Sequence, residues 1–133
     1  MAGEPTGRIT KSAIIGGLTI GGTVSTVAAD TFVGGSKTFP IGTNVEWDLN
    51  LIDISQIVLV AIEASTDTTV KTNSSGSPTD TLSLKANVPL IWQTGDPAGQ
   101  MFLSGDATKF YITNAAVSTV KFAALMDTTP VLA

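Results

Sequence analysis

A chain of 133 residues without a single cysteine or histidine can bury a sizeable core as one domain, but disulfides, thiolate chemistry and Cys/His metal sites are excluded, and acid–base catalysis near neutral pH loses its commonest agent. Seven basic residues face eleven acidic ones, for a net charge of −4, and the bases (Arg8, Lys11, Lys37, Lys71, Lys85, Lys109 and Lys121) stand singly, so the clustered cations that a nucleic-acid partner demands are missing. Apolar residues make up 43% and charged ones 14%, against about 25% charged in ordinary domains; the deficit points to a surface that partly meets other protein, the alternative being a neutral, Thr/Ser-coated β-protein.

Residues 1–12, MAGEPTGRITKS, are polar and carry Gly3, Pro5 and Gly7, as a tail or arm does. Ala13–Ala29 follows as an uncharged run. It is too rich in Gly and Thr for a membrane span, which needs about 20 strongly apolar residues. The Gly17/Gly21 spacing matches a helix-dimer motif that carries weight only inside such a span. A cleaved leader is a second reading, since Arg8 and Lys11 precede the run and Val27-Ala28-Ala29 resembles a cleavage site. Extended structure is the third. Four glycines in the run oppose helix, while Ile, Val and Thr favour strand. Residues 1–35 are therefore expected to form an extended Gly-rich arm on a neighbouring chain. Its anchors would be Ile14, Ile15, Leu18, Ile20 and Val24. The competing assignment makes this segment the first two strands of the same chain's sandwich.

Asp30–Lys37 reads as a turn region. Thr38–Ile41 and Asn44–Trp47 are short strands broken near Pro40 and Gly42, and Leu49–Asp53 is a connection or short strand. Ile54–Ser65 is the strongest strand: Val58, Val60 and Ile62 face one way, and Ile57, Leu59 and Ala61 the other. A strand apolar on both faces is central and covered on both sides. One cover would be the core, the other the N-terminal arm or another subunit. Thr68–Thr72 is a short strand and Asn73–Asp80 an exposed loop. Leu82 and Leu84 alternate with polar residues. Val88–Gln93 is a strand with Pro89 near its start, an edge position, and Thr94–Gln100 is a tight loop. In Met101–Asp127, Phe110 and Ile112 alternate with polar residues. After Asn114-Ala115-Ala116, the residues Val120, Phe122, Ala124 and Met126 share one face. This pattern predicts an antiparallel hairpin with one buried face.

Strands recurring about every ten residues, with turn signals between them and no helical period, predict an all-β, antiparallel β-sandwich over residues 36–133, with the jelly roll as one form of it. The predicted core is Val58, Val60, Ile62, Leu84, Phe110, Ile112, Val120 and Phe122.

Residues able to carry chemistry are few. Asp48 and Asp53 flank LNLI, and paired carboxylates can perform hydrolysis, but acids at strand ends more often solubilise turns. Asp96 and Asp106 sit in Gly-containing loops where they could ligate calcium, yet no twelve-residue calcium loop surrounds them. Trp47, Trp92 and Tyr111 could form a sugar platform; aromatics in a sandwich more often anchor the core or an interface. No GxSxG, phosphate loop or dinucleotide fingerprint occurs. No enzyme, cofactor or metal site is expected.

The segments Leu82–Ala86, Val88–Gln93 and Gly105–Asp127 carry a resemblance. In LIWQTGDPAGQMFLSGDATKFYITN a short strand, a Gly-Asp loop and an aspartate–strand–Asn unit lead into a last strand ending at Leu125-Met126-Asp127. This style resembles small virion accessory proteins of tailed bacteriophages, of the capsid decoration (cement) type. The resemblance implies a small β-domain on the virion's capsid surface, often trimeric, bound to the major capsid protein. It implies no catalytic residue; from charge and hydropathy, no nucleic-acid or membrane partner is expected. A carbohydrate- or receptor-binding β-module of a tail or head fibre is the alternative; it requires exposed aromatics near one set of loops.

Overall fold

The structure is a computed structural model that describes residues 6–28, 31–94 and 101–127; within 6–28, side chains are described only at residues 7, 8, 14 and 16–19. The described residues form ten β-strands and no helix. They are β1 (Thr6–Ile15), β2 (Leu18–Ala28), β3 (Thr31–Phe39), β4 (Gly42–Ile52), β5 (Ile57–Ala64), β6 (Thr68–Thr72), β7 (Thr81–Leu84), β8 (Leu90–Gln93), β9 (Ala107–Asn114) and β10 (Ser118–Met126). The expected all-β sandwich is there. Two four-stranded sheets, ordered β3-β10-β5-β8 and β4-β9-β6-β7, pack face to face, while β1 and β2 pair only with each other.

The pairing has a simple logic. β3 pairs with β10, β4 with β9, β5 with β8 and β6 with β7, all antiparallel. Unrolled, this is one long hairpin, with β3–β6 running out, residues 73–80 as its turn and β7–β10 running back. Rolled up, successive pairs fall into opposite sheets, and β10–β5 and β9–β6 contacts complete each sheet. This is the winding of a jelly roll.

Alternation decides which side chains go inside. From β10, Ser118, Val120, Phe122, Ala124 and Met126 are buried; from β9, Ala107, Phe110, Ile112 and Asn114. Phe110 and Phe122 meet edge-on across the gap between the sheets, with ring centroids 4.9 Å apart. Phe39, Ile52, Val60, Ile62, Val70 and Leu84 complete the centre.

Four local expectations are corrected. The Met101–Asp127 segment is not a hairpin: β9 and β10 lie in different sheets, and their apolar faces meet across the core. A hairpin and an arch between sheets give the same alternation, and the linking residues 115–117 contain no glycine to favour a tight hairpin turn. Val58 is only half-buried. A register shift at Leu125/Met126 pairs Ile57 with Met126, and Ile57 takes the core position at 4% exposure. The supposed turn at Asp30–Lys37 lies largely within β3. There Gly34 (φ +151°) serves a close approach, because a Cβ would strike the Phe122 carbonyl oxygen and lie 2.8 Å from Ala123 Cα. Leu49–Ile52, read as part of a connection or short strand, is strand, but as the end of a long β4 continuous with Asn44–Trp47.

Candidate functional site

The predicted assembly anchors fall on the β1–β2 hairpin. Its turn is Gly16-Gly17, both at positive φ (+59° and +82°), the backbone of a two-residue primed turn that glycine adopts without steric cost. Ile14 and Leu18 flank this turn and are 75% and 64% exposed. The side chains of Ile15, Ile20 and Val24 lie outside the described residues. The chain therefore doubles back into two strands, as the competing assignment had it, but the hairpin joins neither four-stranded sheet.

Near its base the hairpin touches the sandwich. A Cβ on Gly7 would strike Leu59 Cδ2 and lie 2.9 Å from Leu125 Cδ1. Leu59 and Leu125 are register partners on β5 and β10 and point away from the core. Leu125 is nevertheless only 4% exposed. The β1 backbone thus lies against one row of the outer face of sheet β3-β10-β5-β8. The next row along that face is built of small residues, with Gly34 opposite Ala123 and Ala123 opposite Ala61. Ala61 and Ala123 of this row line a shallow groove of about 390 Å³, together with Phe32, Pro89, Glu63 and Lys121. Phe32 is 52% exposed.

The outer face of sheet β4-β9-β6-β7 has the opposite character. Lys109 Nζ lies 3.4 Å from Glu46 Oε1 and 3.8 Å from Asp48 Oδ1, and Tyr111 donates its hydroxyl proton to Glu46 Oε1 at 3.2 Å. The hydrogen bond and charge of Glu46, then the charge of Asp48, raise the Lys109 pKa above its ordinary value. Such surface pairs add little stability, but they mark this face as one made for water.

The residues that could have carried chemistry are engaged in structure. Asp48 serves Lys109. Asp53 Oδ1 accepts from the Ser55 amide at 2.9 Å and the Ser55 hydroxyl at 2.6 Å. Asp106 Oδ1 accepts from the Ile54 amide at 3.0 Å. Asp96 lies outside the described residues, and among the described residues no three acidic groups are placed to hold a metal ion. Trp47 points inward against Phe39 and Phe110, with centroids 5.6 and 6.2 Å away. Trp92 packs against the core from the other sheet, and Tyr111 is on the outer face with Glu46. The three aromatics do not form one platform.

Sequence reading expected the Leu59 face of β5 to be covered by the N-terminal arm or another subunit, and the Gly7 contact agrees with the first of these; it missed Leu125 as the partner of Leu59 in that contact, and the groove beside it. The available signal was Leu59, Ala61, Ala123 and Leu125, apolar positions on the non-core side of two strong strands. No family model, no curated protein and no solved structure matches this chain.

Proposed function

We propose that this chain is a structural virion protein of the capsid decoration type, which binds a shell of major capsid protein through the β1–β2 hairpin and the adjoining outer face of sheet β3-β10-β5-β8. One observation carries the reading. The hairpin adds no strand to either sheet of the sandwich, yet it presents Ile14 and Leu18 largely exposed at its tip. A lone two-stranded hairpin is marginal in water, and ordering it costs about 1–2 kcal/mol per residue in backbone entropy. Apolar contact with a partner offsets that cost, and exposed aliphatics at the tip supply it. The low charged share and the resemblance of the C-terminal segments to phage accessory proteins support the same reading. Jelly rolls occur among viral capsid proteins, and also among lectins and cupins, so the fold by itself does not decide the function.

The test is co-sedimentation with shells assembled from the major capsid protein encoded alongside this chain. The wild-type chain is expected to bind and to raise the temperature at which the shells come apart. The double variant Ile14→Ser/Leu18→Ser is expected to bind at least about tenfold more weakly, because each buried aliphatic contributes about 1.5–3 kcal/mol. Shells that neither retain the wild-type chain nor gain stability from it would overturn the proposal.

A further inference from the structure

Four connections lie together at one end of the sandwich: residues 40–41 between β3 and β4, 65–67 between β5 and β6, 85–89 between β7 and β8, and 115–117 between β9 and β10. The registers place them there. Phe39 is opposite Ser118, Gly42 and Thr68 are both opposite Asn114, and Thr68 is opposite Leu84. Hydrogen bonds tie the turns into one surface. Buried Asn114 accepts from the Gly42 amide at 3.1 Å and donates to the carbonyls of Phe39 and Ala116 at 3.2 and 2.8 Å. Asp67 Oδ1 accepts from the Ala86 amide at 2.9 Å, and the Asn87 amide donates to the Ala64 carbonyl at 2.7 Å.

On this fixed surface Ile41, Val88 and Val117 are 67%, 54% and 58% exposed. Each stands on a different turn, and exposed prolines and alanines lie beside them. Branched aliphatics held open to water by a rigid frame mark an interface. Charge says what kind of partner fits. The four connections contain one acid and one base, Asp67 and Lys85, whose charged atoms are 3.8 Å apart; this end has no net charge. The opposite end carries Asp53, Asp80 and Asp106, and its described connections, 53–56, 73–80 and 101–106, contain no Lys or Arg; with Lys71 Nζ donating to the Ser75 carbonyl at 3.3 Å, three acids face one base there. The nine residues of β10 separate the two ends by about 27–30 Å, several Debye lengths at physiological salt. Copies of a chain with net charge −4 repel one another. They meet at least electrostatic cost through the neutral end, with their acidic ends pointed apart and screened.

We infer that the end bearing Ile41, Val88 and Val117 is a self-association face that packs against the same end of another copy of this chain. The inference rests on the reading of the chain as an assembly protein but uses a different surface from the hairpin. Sedimentation equilibrium of the full chain tests it. The expected result is a mass that rises reversibly with concentration and changes little between about 50 and 500 mM salt, as an apolar contact implies. Ile41→Ser, Val88→Ser and Val117→Ser are each expected to raise the dissociation constant by about tenfold or more, and the triple variant to stay monomeric where the wild-type chain associates. Leu51→Ser, at a site 56% exposed near the acidic end, is expected to leave association unchanged. Should the triple variant lose its cooperative melt, the native absence of cysteine supplies a second measurement: Val117→Cys gives disulfide-linked dimers on mild oxidation, and Leu51→Cys does not. A wild-type chain that stays monomeric at every concentration overturns the inference, as does a folded triple variant that associates normally or a Val117→Cys chain that fails to cross-link. A monomeric wild-type chain whose triple variant no longer binds capsid shells assigns this face to the capsid protein; that sinks the inference and leaves the proposed function standing. Self-association without any shell binding does the reverse.

Discussion

Phe122 is 2% exposed and meets Phe110 edge-on from the facing sheet, so truncating it opens a cavity between two rigid walls. Phe122→Ala is expected to cost about 3–5 kcal/mol in a denaturant titration, the usual range for a large buried aromatic whose site cannot collapse. On β5 the order of effects follows the register shift. Ile57→Ala should cost about 2–5 kcal/mol, and Val58→Ala clearly less, because Ile57 and not Val58 fills the core position. Asn114→Ala belongs to another class. It removes an acceptor for the Gly42 amide and a donor for two carbonyls, and each buried group left unpaired costs about 1–3 kcal/mol. The pH response is also set by single residues. Glu46 and Asp48 raise the Lys109 pKa, so the stabilisation linked to the Lys109 proton is present below the ordinary lysine range and is lost as pH rises through the raised value. With no histidine in the chain, the melting temperature should be nearly flat between about pH 6 and 8, which a series of thermal melts checks.

At the scale of the element, the periodicity of the sequence identified strands and faces but could not choose partners. β6 is found at Thr68–Thr72 as its pattern predicts, and of the eight predicted core residues only Val58 is not fully buried. That β9 and β10 lie in different sheets was not legible, because the same alternating pattern serves a hairpin within one sheet and an arch between two. Asn114 read as a turn residue; its role as a buried clamp between two corners depends on Phe39 and Gly42, far away in sequence. Gly34 misled in the other direction. Glycine signals a turn by composition, but here it lets β3 approach the Phe122 carbonyl. Gly34→Ala should therefore destabilise by more than about 1 kcal/mol, since the native conformation does not accept a Cβ, whereas a turn position open to solvent would tolerate the change. The hairpin is the element most separable from the rest. Deleting residues 2–28 leaves every ladder of both four-stranded sheets in place. The shortened chain is expected to melt cooperatively at a lower temperature, because Leu59 and Leu125 lose their cover, and to lose shell binding. A shortened chain without a cooperative melt would make the hairpin part of the folding unit.

The sandwich is wound so that its first and last strands finish side by side in one sheet. β3, the first strand of the sandwich, pairs along its length with β10, the last, from Thr31 opposite Met126 to Phe39 opposite Ser118. β10 also separates β3 from β5 in the middle of the sheet. Contacts this distant in sequence require loop closure before they return any stabilisation, and folds dominated by them fold in milliseconds to seconds. Refolding followed by tryptophan fluorescence should fall in that range, with Trp47 reporting because its ring packs against its strand neighbour Phe110 and against Phe39 from the other sheet. The same winding makes the two ends of the chain unequal. Loss of β1 and β2 leaves a closed sandwich, but loss of β10 removes the central strand of a sheet together with Val120, Phe122 and Ala124 from the core. A chain ending at Val117 should show no cooperative thermal transition, because β3 then has no partner strand and Phe110 faces an open side. If that chain melts cooperatively, β3 and β5 can pair directly without β10, and the closing role assigned here to the last strand is wrong.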